Sequence, residues 1–192
     1  YTNNGWNLST NGATLFLSVM FFANGLSSAD KLQMGFINMS TNGLNSNAGV
    51  AFETYRFIPS GANTWPLFEQ YRSGGLTVGT ALLGTVNVTN GHWYKFMITV
   101  TNTSGGVNGN LGTTCSFFDY GTNGLTPGTN QITFAVNQFH SVPQLATNPV
   151  IYPALRAFQD AGVGAMDNFL VYTTNSLPVF IATMTNLVTP PN

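Results

Sequence analysis

The sequence predicts an all-β chain, a sandwich of two antiparallel sheets, and three observations carry that prediction. Asn-Gly, the strongest short-range hairpin signal because both residues tolerate positive φ, occurs seven times, at Asn4, Asn11, Asn24, Asn42, Asn90, Asn108 and Asn123, each followed by glycine. The runs between these turns alternate apolar and polar residues with period two, which marks a strand with one buried face. Composition points the same way: 23 Asn, 25 Thr and 21 Gly disfavour helices, while Thr joins Phe, Val, Ile and Tyr as strand material. At 192 residues one domain spanning 1–192 is expected.

The elements follow in order. Residues 14–22 read Thr-Leu-Phe-Leu-Ser-Val-Met-Phe-Phe and open the series. Strands are then expected at 31–38, 50–58, 67–73 and 82–88. Residues 92–101 put Tyr94, Phe96, Ile98 and Val100 on one face and Trp93, Lys95, Met97, Thr99 and Thr101 on the other. Further strands are expected at 112–120, 131–137 and 165–173, and only 154–160 reads as a short helical turn. The tail 177–192, with a strand-like 179–184 between prolines, is expected to be a terminal or donated strand.

One internal echo sharpens the pairing. Phe52-Glu53-Thr54-Tyr55-Arg56 returns as Phe68-Glu69-Gln70-Tyr71-Arg72. An antiparallel hairpin in which paired numbers sum to 125 would set Glu53 opposite Arg72 and Arg56 opposite Glu69. Opposite charges across a ladder contribute roughly 0.2–1 kcal/mol each, so these four are read as register control.

Charge excludes whole classes of function. Five Lys+Arg and six Asp+Glu make 6% of the chain, with net charge −1, against roughly 25% in an average protein. Five scattered cations cannot neutralise a run of phosphates, so nucleic acid is not an expected partner. The longest apolar run, 15–23, is too short for the roughly 18 residues of a membrane span, so no membrane insertion is expected. Tyr1 reads as the start of a mature or excised segment, and the neutral Asn/Thr-rich surface predicts an extracellular or cell-surface location. The single Cys115 rules out an intrachain disulfide and is read as a buried thiol.

Catalytic patterns are sparse. The carboxylates Asp30, Glu53, Glu69, Asp119, Asp160 and Asp167 show no pair spaced for glycosidic acid–base work, and no nucleophile elbow is present. His92 and His140 read as strand-end surface residues. Calcium, which accepts carbonyl and amide oxygens, is the cofactor the loops suit best, through Asp30 and the Asp167-Asn168 pair; the competing reading has Asp167 cap a neighbouring loop. Neutral sugars stack on aromatic faces with polar edges. Trp65, beside Pro66 in a hairpin loop, is the leading ligand-binding candidate, with Tyr55, Tyr71 and Arg72 beside it, whereas Trp6 and Trp93 read as core.

Two stretches resemble a known family. Asn90-Gly91-His92-Trp93-Tyr94-Lys95-Phe96-Met97-Ile98-Thr99-Val100 resembles the central strand of laminin-G-like, concanavalin A-like jelly rolls. Gly164-Ala165-Met166-Asp167-Asn168-Phe169-Leu170-Val171-Tyr172 resembles the closing strand of such domains in secreted bacterial proteins, and 117–125 looks like planctomycete and verrucomicrobial surface proteins. The resemblance implies a jelly-roll β-sandwich. The paired acidic motif of the family's laminarinase-like hydrolases is absent, as are the basic and tyrosine signatures of its alginate-lyase-like members, so the chain is expected not to be an enzyme. The expected function is a lectin-like, non-catalytic extracellular module that binds a glycan or polysaccharide. The rival expectation is a structural or adhesive surface domain, or a filament subunit that pairs with copies of itself by strand or edge.

Overall fold

The computed structural model describes residues 6–8, 10–23, 31–38, 52–57, 63–73, 76–103, 110–125, 130–141, 151–158, 163–173 and 179–182. Eleven strands are found among them: β1 Thr14–Ala23, β2 Lys31–Ile37, β3 Phe52–Phe57, β4 Thr64–Ser73, β5 Leu76–Asn87, β6 Trp93–Asn102, β7 Asn110–Asp119, β8 Asn130–Ser141, β9 Tyr152–Phe158, β10 Val163–Thr173 and β11 Val179–Ala182. They form a six-stranded sheet, β11-β10-β1-β6-β7-β8, and a five-stranded sheet, β5-β4-β3-β2-β9. Every ladder is antiparallel. The chain is an all-β jelly-roll sandwich, as its sequence predicts.

The core lies between the two layers. Strand β6 alternates strictly, with Tyr94, Phe96, Ile98 and Val100 buried. Its neighbour β1 contributes Leu15, Leu17, Val19 and Phe21. From the five-stranded sheet Leu32, Met34, Phe36, Trp65 and Leu67 join the same cluster. Phe21 stacks on Trp65 across the layers, ring centroids 5.6 Å apart and planes 3° off parallel. Each buried large apolar side chain of this kind stabilises the fold by roughly 1.5–3 kcal/mol. Cys115 is fully buried here, as expected.

The structure corrects three details. Residues 154–160 do not begin a helical turn, because Tyr152–Phe158 is β9, the edge strand beside β2. The β3–β4 register is one residue away from the charge-pairing one: Arg56 stands opposite Phe68, and Glu53 opposite Tyr71. A one-residue shift sends each strand's side-chain sets to other partners and faces, and here it keeps Tyr55 and Phe57 in rows with the buried Glu69 and Leu67. The three described Asn-Gly turns are not type I′, which needs two positive φ values: Gly12, Gly91 and Gly124 have φ between 67° and 83°, while Asn168 is the one described non-glycine residue with positive φ. Asn90-Gly91 does not close a hairpin at all; it turns the corner from β5 in one sheet to β6 in the other.

The tail strand β11 pairs with β10 of its own chain, Val171 opposite Val179 and Leu170 opposite Phe180.

Candidate functional site

Strand β2 is flanked on both sides, so its two faces differ in what they meet. Leu32, Met34 and Phe36 enter the core. Gln33, Gly35 and Ile37 occupy the alternate positions on the opposite, outward face, and they too are buried. Directly opposite partners share a face, so the registers define rows across this sheet. Phe68, Arg56, Gln33 and Arg156 form one row. Gln70, Thr54, Gly35 and Ala154 form the next, and Arg72, Phe52, Ile37 and Tyr152 the third. Lys31, opposite Phe158, belongs to the same side of β2 as Gln33.

Four of the five Lys and Arg residues therefore sit at outward register positions of one sheet. Glu53 and Glu69 fall in rows with the core residues Phe36 and Met34, on the other side. No described acidic residue shares the cationic rows. At their centre Gln33, 2% exposed, donates from Nε2 to Oε1 of Gln70 at 3.1 Å. Gly35, in the adjoining row, contributes no side chain above the sheet.

A second polar cluster closes one end of the six-stranded sheet. His92 Nδ1 lies 3.0 Å from both carboxylate oxygens of Asp119. The Gly121 amide donates to Asp119 Oδ1 at 2.7 Å, and the Tyr94 hydroxyl donates to Oδ2 at 3.3 Å. The Thr89 amide in turn donates to the Tyr94 hydroxyl at 2.7 Å. Burial pushes the Tyr94 pKa up, and the Asp119 carboxylate adds to the rise against the lowering effect of the Thr89 amide. A carboxylate on Nδ1 holds the neutral ring as the Nδ1–H tautomer and leaves Nε2 as an acceptor. The His92 side chain is 29% exposed. This environment differs from the plain surface position expected for it. The signal in the sequence is faint, a His at the start of one strand and an Asp at the end of its neighbour.

Three of the four predicted binding residues take core-side positions and the fourth an outward one. Trp65 is corrected from ligand platform to core: it is 1% exposed and packed on Phe21, because it lies in strand β4, at an inward position, and not in a loop. Tyr55 stands in the row of Met34 and Glu69, and Tyr71 opposite Glu53, both core-side positions, whereas Arg72 takes an outward one. Trp93 is corrected in the other direction: it is half-buried on the outer face of β6 against Phe22, ring centroids 5.4 Å apart, and not in the core.

Of the calcium candidates, Asp30 lies outside the described residues. Asp167 pairs with Met20 where the β1–β10 register shifts, and its Oδ1 accepts the Asn168 amide at 2.7 Å. Asn168 is the exposed bulge residue, with φ 51°. No group of three or more His, Cys, Asp or Glu forms among the described residues.

No family model and no curated protein matches the chain. Solved structures do. An alginate lyase from Pseudomonas aeruginosa is 13% identical, over 92% of this chain and 68% of that one, with TM-score 0.45. An alginate lyase from Alteromonas sp. 272 is 12% identical, over 88% and 74%, with TM-score 0.39. Scytalido-glutamic peptidase is 10% identical, over 93% and 82%, with TM-score 0.38. The likeness is one of fold, and nothing in it points to a planctomycete or verrucomicrobial origin. It does correct the expectation that the chain is not an enzyme: the solved structures it resembles are enzymes. Motifs missing from a sequence do not remove catalysis when distant strands assemble the site.

Proposed function

We propose that the chain recognises an acidic polysaccharide across the outward face of its five-stranded sheet. The observation that carries this reading is the placement of Lys31, Arg56, Arg72 and Arg156 in outward rows, away from Glu53 and Glu69, in a chain with only eleven charges. Guanidinium groups stay charged at any ordinary pH and favour carboxylate or sulfate in a two-pronged bond. The Gln33–Gln70 amide pair supplies fixed polar partners between them. The polysaccharide-lyase neighbours agree with a saccharide partner without adding weight of their own. An extracellular setting goes with such a polymer.

The test is calorimetric titration with polygalacturonate, dextran sulfate and neutral dextran, at low and high salt and with and without chelator. The acidic polymers should bind, and salt should weaken them. Arg56→Ala and Arg156→Ala should each lose about tenfold, the loss expected for one charge-assisted contact of about 1.5 kcal/mol. Equal or tighter binding of neutral dextran would defeat the reading. A chelator effect abolished by Asp167→Ala would place calcium at Asp167-Asn168.

Cleavage of such a polymer is a second reading, favoured by the His92–Asp119 pair, whose part-exposed ring has the form of a proton acceptor. New reducing ends appearing from polygalacturonate or dextran sulfate, and lost in His92→Gln, would support it.

A further inference from the structure

We propose that Asn123 is a site of spontaneous, backbone-assisted deamidation that the fold singles out among the described Asn-Gly steps. The reaction needs only the chain and water. The glycine amide nitrogen loses its proton and attacks the asparagine Cγ; ammonia leaves, giving a five-membered imide. Water then opens either imide carbonyl, yielding aspartate or isoaspartate with one new carboxylate. Two things govern the rate: whether the glycine N–H is free to be lost, and how strongly the side-chain carbonyl is polarised.

Three of the seven Asn-Gly steps lie among the described residues, and they differ in both respects. The Gly12 amide is committed to Asn102 O at 2.7 Å, and the Gly91 amide to Ala23 O at 2.7 Å. Among the described residues Gly124 N makes no such bond. Asn123 is exposed, and its Oδ1 accepts the Leu125 amide at 3.0 Å. That donor aims at the oxygen on which negative charge grows during attack, the arrangement that stabilises an oxyanion. The consequence is local as well as electrostatic. Gly124 lies against Trp93, where an added Cβ would stand 3.0 Å from the indole. An isoaspartate lengthens the backbone at this contact.

The experiment is a timed incubation of the folded chain at mildly alkaline pH, read by peptide mass mapping and isoaspartyl labelling, with a parallel sample in urea. In the folded chain Asn123 should convert at least about fivefold faster than Asn11 and Asn90, the factor one net backbone hydrogen bond commands. In urea the three rates should converge. Trp93 emission should drift with conversion in the wild type and stay constant in Asn123→Gln, whose longer side chain closes the ring poorly. Conversion at Asn11 or Asn90 matching that at Asn123 in the folded chain, or conversion of Asn123 in urea alone, would overturn the proposal. An equal drift in Asn123→Gln would overturn the link to Trp93.

Discussion

Gln33 donates from Nε2 to Oε1 of Gln70, two strands away, over the top of β3. Neighbouring strands lie about 4.8 Å apart, so this bond ties together three strands of the proposed binding face. Removing one partner of a buried bond costs about 1–3 kcal/mol. Gln33→Leu should lower the unfolding free energy by that amount, seen in equilibrium unfolding as a lower urea midpoint with an unchanged slope. An unchanged midpoint would mean the pair contributes nothing.

Trp65→Ala should destabilise the chain by about 3–5 kcal/mol, the cost of emptying a large aromatic site in a packed core. The same substitution in a ligand platform would instead cost affinity with little effect on stability. Thermal unfolding and polymer titration on one sample separate the two outcomes.

Asn168 holds a left-handed backbone conformation at the β1–β10 irregularity. A Cβ in that region costs about 1–2 kcal/mol, and Asn offsets part of it through local hydrogen bonding. Asn168→Ala should therefore be about 1 kcal/mol less stable than wild type, and Asn168→Gly close to it. Denaturant midpoints of the three chains decide this.

The raised Tyr94 pKa gives stability a dependence on alkaline pH. The unfolded chain loses this proton near pH 10, while the folded chain, with the hydroxyl buried beside Asp119, keeps it to higher pH. The contribution is fully present below about pH 10 and is lost as pH rises through the folded value. Tyr94→Phe should be less stable at neutral pH, because the Thr89 amide loses its acceptor, yet its stability should fall less steeply above pH 10. Parallel alkaline slopes for the two chains would contradict the assignment.

The strands were legible because burial on one face writes a period of two into the residues. The alternation of Tyr94, Phe96, Ile98 and Val100 is that burial seen in the sequence. β9 was not legible: Tyr152–Phe158 mixes Pro, Ala and Arg, and an edge strand needs little of the apolar alternation of a buried one. Charge pairing, worth tenths of a kcal/mol, points to a β3–β4 register one residue off, because it counts for less than the rows that include the buried Leu67 and Glu69. The candidate site depends on the same register. Only in the true register do Arg56, Arg72 and the amides gather on one side, since Arg156 and Gln33 come from strands far apart in the chain. Trp65 misleads because its neighbour Pro66 suggests a loop, whereas β4 carries Pro66 opposite Thr85 of β5, one residue past the described β3–β4 pairs.

Cys115, the chain's single thiol, is sealed between the layers on β7. An alkylating reagent can reach it only when the layers part, so the rate of its modification times the opening of the sandwich itself, and slowing of that rate by an acidic polymer would register occupancy without any added dye.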